Sequence, residues 1–103
     1  MTKKEFKTAL FSYCQSLGYI ITKHSVEFKS FGTLFYFSPY DGSFNYAPIP
    51  IPTNEEEATL SRIRTNYTEE ALEMCKHIAK DRCMIYKGLK IKEKLKEINK
   101  DFV

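Results

Sequence analysis

The sequence lacks the local signatures that many catalytic and cofactor sites carry. It has no tryptophan. Its four glycines stand singly, so the chain has no glycine-rich phosphate-binding loop. Neither the Gly-x-Ser-x-Gly turn of serine hydrolases nor the His-Glu-x-x-His motif of zinc proteases occurs. We therefore predict that the protein is not an enzyme and that it binds no cofactor.

Cysteine is also scarce, and its pattern argues against a secreted fold. The three cysteines are odd in number and form no Cys-x-x-Cys pair, whereas small secreted domains usually carry an even set for disulfides. No apolar run approaches the roughly 18 residues that cross a bilayer, and the N-terminus does not resemble a signal peptide. These features predict a cytoplasmic protein with no membrane partner.

A metal site is not predicted either. The possible ligands Cys75, His77 and Cys83 do not have suitable spacing, because residues two apart in a helix point to different faces. Structural zinc sites usually use ligand pairs that are two to four residues apart. We expect Cys14, Cys75 and Cys83 to be core residues.

What the chain does have is the composition of a globular domain. Hydrophobic residues make up 43% and aromatic residues 15% of its 103 residues, enough to form one core. The net charge is a mild +3, but it is unevenly distributed. Residues 53–73 carry six acids and two bases, and residues 82–100 carry seven bases and two acids. We predict a single α+β domain over residues 1–103.

The first predicted element is an amphipathic helix over residues 3–17. Thr2 and Glu5 have the spacing of a capping box, in which each side chain accepts a backbone hydrogen bond from the other residue. Apolar side chains then recur at helical spacing, at Phe6, Leu10, Tyr13 and Leu17. Gly18 follows at a position suited to the end of a helix.

Three strands are predicted next, over residues 19–29, 33–38 and 43–47. They contain many β-branched and aromatic residues. Between the second and third strands, Pro39-Tyr40-Asp41-Gly42 favours a turn. Residues 1–47 are therefore predicted to form an α-β-β-β unit with a three-stranded antiparallel sheet.

The hairpin formed by the last two strands has two possible registers. A four-residue loop pairs Phe37 with Phe44, and a two-residue loop pairs Phe37 with Tyr46. Both registers place Phe35, Phe37, Phe44 and Tyr46 on one face, because side chains alternate along a strand. We predict that this aromatic face is the core.

The opposite face of the hairpin is the predicted surface for a protein partner. It carries Leu34 and Tyr36, and the turn adds Tyr40. Tyrosine tolerates both water and a partner, and it is enriched at the centres of protein interfaces. Sheets in small α+β domains are often covered on one side only, which would leave this face open; the alternative is that helices cover both sides and bury it.

Residues 48–53 form a predicted proline-rich connector, since alternating prolines remove the donors that a central strand needs. A helical part is predicted over residues 54–103. Asn54 and Thr68 each precede glutamates, which favour the first turn of a helix and so predict two helix starts. Gly88 is expected to interrupt the second helix.

An apolar stripe is predicted beyond Gly88. Four large side chains recur at helical spacing: Ile91, Leu95, Ile98 and Phe102. Such a stripe requires burial, either on the sheet of the same chain or against a second copy in a homodimer. The sequence leaves both alternatives open.

Basic residues support an alternative hypothesis of nucleic-acid binding. The candidate phosphate contacts are Arg62, Arg64, Lys90, Lys92, Lys94 and Lys96. However, the lysines circle the predicted helix, and the intervening Glu93 and Glu97 are spaced for ion pairs within it. A solvated helix face accounts for the same pattern.

The order of a helix, three strands and a helix over residues 2–85 resembles the topology of the double-stranded RNA-binding domain. That family carries a basic cluster at the start of its second helix, which corresponds to residues 66–76. This sequence has Glu69, Glu70 and Glu73 there, and Lys76 is the only basic residue. The resemblance therefore implies the order of elements and not the RNA-binding function.

Taken together, these patterns favour a small regulator or inhibitor that binds a larger cytosolic protein in a fixed ratio. The aromatic surplus and the amphipathic helices are recurrent devices of protein recognition. The small size and the Lys-, Ile- and Tyr-rich composition suit an accessory protein of the kind that phages and other mobile elements encode. Nucleic-acid binding is the second hypothesis, and a self-assembling structural protein is the third.

Overall fold

A computed structural model describes the backbone of residues 1–101 and the side chains of residues 1–90. It contains two helices and five strands, which confirms the α+β class. In chain order these are α1 (Lys3–Ser16), β1 (Ile20–Ile21), β2 (Ser25–Phe28), β3 (Gly32–Phe37), β4 (Phe44–Tyr46), β5 (Ser61–Ile63) and α2 (Glu69–Asp101).

The predicted N-terminal helix is confirmed as α1. Glu5 N–H donates to the Thr2 hydroxyl at 3.1 Å, and Thr2 N–H donates to the Glu5 carboxylate at 3.3 Å, so both bonds of the capping box form. The apolar side of α1 is buried. Gly18 follows the helix with φ of +99°, a conformation that glycine adopts without strain.

The prediction of a three-stranded sheet is wrong, because five strands form one antiparallel sheet in sequence order. One extra strand arises within residues 19–29, which were predicted as a single strand. Thr22 N–H donates to Ser25 C=O at 2.9 Å, and the Thr22 hydroxyl accepts from Ser25 N–H at 3.0 Å. These local bonds reverse the chain and separate β1 from β2.

The other extra strand is β5, which lies where a short helix was predicted. Asn54 does cap a turn, since its side chain accepts from Glu57 N–H at 2.8 Å. Glu57 in turn accepts from Thr53 N–H at 2.8 Å, so the local capping signals produce one turn and no longer helix. Residues 61–63 then pair with β4, which satisfies backbone groups of both strands.

The hairpin adopts the register of the four-residue loop, with Phe37 opposite Phe44. The two rings stack with centroids 4.3 Å apart. Phe35 is also buried, and Tyr46 is half-buried on the same face. Both helices cover this face: Phe11 of α1 contacts Phe37, and Tyr86 of α2 contacts Phe28.

Leu34 departs from the predicted alternation of faces. It was expected on the exposed side, yet it is fully buried. The register between β2 and β3 shifts at this point, because Val26 pairs with Phe35 whereas Glu27 pairs with Thr33. Leu34 is therefore the extra residue of a β-bulge. A bulge interrupts the alternation, and Leu34 and Phe35 both reach the core.

The helix α2 runs through Gly88 without a break, so the predicted interruption is wrong. A single glycine inside a helix costs only about 1 kcal/mol relative to alanine, and the packed turns before it offset that cost. The core-facing side chains recur at helical spacing: Leu72, Cys75, Ala79, Cys83 and Tyr86. In the described part of the chain, no helix is long and apolar enough to cross a membrane.

Arg82 connects α2 to the proline-rich connector. Its side chain is buried, and its guanidinium donates to the Tyr86 hydroxyl at 3.4 Å and to Pro48 C=O at 3.5 Å. Because both bonds are long, they satisfy the guanidinium only weakly. They nevertheless tie the start of the connector to the helix.

The hydrogen-bond pattern of the sheet directs the backbone of one β5 residue outward. Ala47 N–H donates to Leu34 C=O at 2.9 Å. Two residue pairs further along the β3–β4 ladder, Tyr36 of β3 lies opposite Asn45 of β4. Antiparallel bonds recur at every second pair, so Asn45 directs its N–H and C=O to β3. Arg62 pairs with Asn45 on the other side and therefore directs its own N–H and C=O away from the sheet.

Core substitutions test the face assignment of β3. We expect Phe37→Ala to lower the free energy of unfolding by about 3–5 kcal/mol and Leu34→Ala by about 2–5 kcal/mol, the usual ranges for emptying core sites. Tyr40→Ala is the control, because Tyr40 is 93% exposed. Urea denaturation measures all three. A Leu34→Ala loss as small as that of the control would contradict the bulge.

Proline substitutions at neighbouring positions test the register of β5. Ser61 directs its N–H to β4 and Arg62 directs its N–H outward, while both side chains are exposed. Proline therefore removes a sheet bond only at position 61. We expect Ser61→Pro to lower the free energy of unfolding by about 1–3 kcal/mol and Arg62→Pro by less than about 1 kcal/mol. Equal losses in urea denaturation would contradict this register.

Candidate functional site

The predicted partner surface around the hairpin does not form as one patch. Leu34 lies in the core beneath the helices, so it is removed from that surface. Tyr36 is half-buried on the open face of the sheet, and Tyr40 is 93% exposed in the turn after β3. The structure therefore leaves two tyrosines without the apolar residue that was expected beside them.

The open face of the sheet is mainly polar. A row of directly paired residues crosses it from β2 to β5: Ser25, Tyr36, Asn45 and Arg62. Asn45 Nδ2 donates to the Ser43 hydroxyl at 2.9 Å, so part of the row is already satisfied within the chain. Ser25 is buried, Tyr36 and Asn45 are half-buried, and Arg62 at the edge is exposed.

Among the described candidate phosphate contacts, Arg62 and Arg64 lie together, and Lys90 lies apart from them. Arg62 lies in β5 and Arg64 follows it. Lys90 lies over the ring of Phe28 in β2, with Nζ 5.3 Å from the ring centroid. Strands β3 and β4 separate these positions. Lys92, Lys94 and Lys96, like the predicted stripe of Ile91, Leu95, Ile98 and Phe102, lie outside the described side chains.

A groove lies between β5 and α2 and combines apolar side chains with the edge strand of the described sheet. Its volume is about 490 Å³. One wall is the edge strand with the residues that follow it, and the other wall is the first part of α2. The lining residues are Tyr46, Arg62, Ile63, Arg64, Thr65, Thr68, Glu70, Ala71, Met74, Cys75 and Ile78.

The α2 wall of this groove is an apolar flank beside the core-facing side. Met74 is 66% exposed and Ile78 is half-buried, so both can contact a ligand. The same flank continues along the helix to Ile85, which is 42% exposed. The spacing of these residues, together with Ala71 and Leu89, was a signal in the sequence that we did not use to predict a site.

The turn between β5 and α2 packs against the core at one end of the groove. Tyr67 adopts φ of +56°, which is uncommon for a residue with a side chain. Its ring packs edge-on against Phe6 with centroids 5.1 Å apart, and this contact holds the conformation. Thr68 then caps α2 by accepting from Ala71 N–H at 3.1 Å. The helix therefore begins at a defined place beside the strand edge.

The charges at the groove are basic on the strand side. Arg62 and Arg64 are both exposed, whereas Glu70 lies on the helix side. Within residues 1–90, the ion pair found within 4.0 Å joins Lys76 to Glu73 and involves neither arginine. Hydrogen bonds from Ser43 lower the pKa of Asp41 to about 2, and the charge of Arg62 adds a smaller effect.

The cysteines belong to the core and not to a reactive site. All three are free and buried. Burial raises the pKa of Cys14 to about 12 and that of Cys75 to about 11, so both remain neutral thiols at physiological pH. Among the described residues, no group of three or more His, Cys, Asp or Glu side chains could hold a metal ion.

Comparison with known proteins adds no relative to this picture. No family model, no curated protein and no solved structure matches the chain. The groove between β5 and α2 is therefore interpreted from its own geometry.

Proposed function

We propose that the protein is a non-enzymatic regulator or inhibitor that binds an extended segment of a larger protein in the groove between β5 and α2. The segment adds to the sheet as a sixth strand beside β5. Strand addition of this kind is a recurrent mode of peptide recognition, in which main-chain bonds supply affinity and side-chain pockets supply specificity.

The observation that carries this proposal is an edge of β5 that no strand of the described residues pairs with, beside an apolar wall. Arg62 directs its N–H and C=O outward, so an added strand finds a donor and an acceptor at the centre of the edge. A strand at this edge would lie about 4.8 Å from β5. Its alternate side chains would then face Met74 and Ile78 of α2.

The energetics require a segment that uses both the edge and the helix wall. A net contribution of about 0.5–1.5 kcal/mol per backbone hydrogen bond does not by itself offset an association cost of about 4–15 kcal/mol. Full burial of a large apolar side chain contributes about 1.5–3 kcal/mol more. The partner segment is therefore expected to place at least two apolar side chains against the wall that contains Met74 and Ile78.

A random library of 12-residue peptides tests this proposal on the full chain. Peptides selected by the wild type should bind in a 1:1 ratio, and their amide shift changes should cluster at residues 61–65 and on the Met74 side of α2. Two methylated forms of a selected peptide complete the test, one with the odd-numbered and one with the even-numbered backbone nitrogens methylated. Only one form should lose binding, because only one set of N–H groups pairs with β5.

Matched variants make the test specific. Met74→Gln should weaken binding of a selected peptide about tenfold, and Arg62→Pro by at least as much. Met84→Gln is the control, because Met84 is also 66% exposed on α2 but does not line the groove. Titration calorimetry measures the affinities. Equal effects at Met74 and Met84, or shift changes around Tyr36 and Tyr40 instead, would refute the groove as the binding site.

A further inference from the structure

Arg62 and Arg64 on the rim of the groove give it a positive charge, which favours a ligand of negative charge. Arg62 lies in β5, Arg64 is the first residue after this strand, and both line the groove. In extended chain, side chains two apart lie on the same face. A strand added at β5 would therefore face two guanidinium groups along its length.

The acids near these arginines leave the rim with a positive balance. Glu70 lies across the groove in the first turn of α2, where a carboxylate complements the helix dipole. The Asp41 carboxylate accepts from Ser43 N–H at 2.9 Å, so it is held in its own turn. The groove lining thus contains two guanidinium groups and one carboxylate.

The same arginines disfavour a second copy of the chain as the occupant. If β5 paired antiparallel with β5 of another copy, residues 62 and 64 of the two chains would lie opposite or diagonal to each other. Like charges at such positions are destabilising, and charged residues on an edge strand commonly prevent pairing between copies. The edge therefore excludes itself while it stays open to a strand of opposite charge.

We infer that the segment bound at β5 is acidic, with Asp or Glu at alternate positions that face Arg62 and Arg64 and apolar side chains at the positions that face α2. This inference rests on the proposed function. Opposite charges on paired strands strengthen association, and two such pairs correspond to about a 2- to 30-fold gain in affinity.

The peptide library tests this inference directly. Peptides selected by the wild type should be enriched in Asp and Glu at every second position. Replacing those acids with Gln in a selected peptide should weaken binding about 2- to 30-fold, and replacing them with Lys should weaken it further. Against an Arg62→Gln/Arg64→Gln variant, the difference between the acidic and Gln peptides should fall below about twofold.

A charge-matched control separates a local effect from a change of net charge. Lys80→Gln/Lys87→Gln removes the same two charges from exposed positions of α2 that do not line the groove. This variant should keep the preference for acidic peptides. If it loses the preference as fully as the arginine variant does, net charge is responsible and the inference is wrong.

The remaining outcomes distinguish this inference from the proposed function. Peptides that bind at β5 without an excess of acids would overturn the inference and leave the proposed function intact. Failure to select any peptide that binds in the groove would overturn both. A random-sequence RNA 20-mer is the last probe. Displacement of the peptide by this RNA, through the same arginines and with a steeper salt dependence, would assign the rim to nucleic acid instead.

Discussion

The stacked pair of Phe37 and Phe44 is the contact on which the rest of the structure depends. It sets the four-residue loop of the hairpin and therefore the register of β3 against β4. That register decides which N–H and C=O groups of β4 bond to β3 and which bond to β5, because the hydrogen bonds between antiparallel strands occur at every second residue pair. A shift by one residue would move the aromatic side chains to the open face and turn the backbone of Arg62 toward the sheet. The register that contains this aromatic contact thus leaves the backbone groups of Phe44 and Tyr46 for β5 and those of Arg62 for the outer edge.

The second determinant is the placement of α2, which presents different chemistry on adjacent sides. One side is fixed in the core. There the Tyr19 hydroxyl donates to Ala79 C=O at 2.6 Å, and the ring of Tyr86 stacks on that of Phe31 with centroids 4.5 Å apart. These contacts hold the helix against the sheet, so the neighbouring flank with Met74 and Ile78 stays at a defined distance from β5. Methionine suits such a wall because its unbranched thioether adapts to different apolar side chains. The groove therefore has one wall anchored in the core and an apolar surface that suits different side chains.

The features that follow from local residue order could be predicted from the sequence, and those that need distant partners could not. The capping box of Thr2 and Glu5 specifies α1 within its first turn, and the aromatic alternation in β3 and β4 specifies the buried face. The burial of Leu34 follows from a register shift against β2, which has no local signal. The prediction of a helix where β5 lies is wrong. Asn54 does cap a helical turn, but that turn ends before residues 61–63. The groove joins residues 61–65 to Met74 and Ile78, and only the folded chain brings them together.

In the proposed function, the charges at β5 act both on pairing between copies and on the choice of partner. A short edge strand beside an apolar wall is a hazard, because its outward N–H and C=O groups can pair with any extended chain. Arg62 and Arg64 limit that hazard through repulsion between copies, without covering the edge as proline or a bulge would. Specificity requires rejection of wrong partners as well as attraction of the right one. In the proposed function, the guanidinium groups of Arg62 and Arg64 both repel other copies and attract an acidic strand. A change that neutralises them would therefore make the edge less selective in two ways. The edge would lose its preference for acidic strands over uncharged ones, and it would lose its barrier against its own copies.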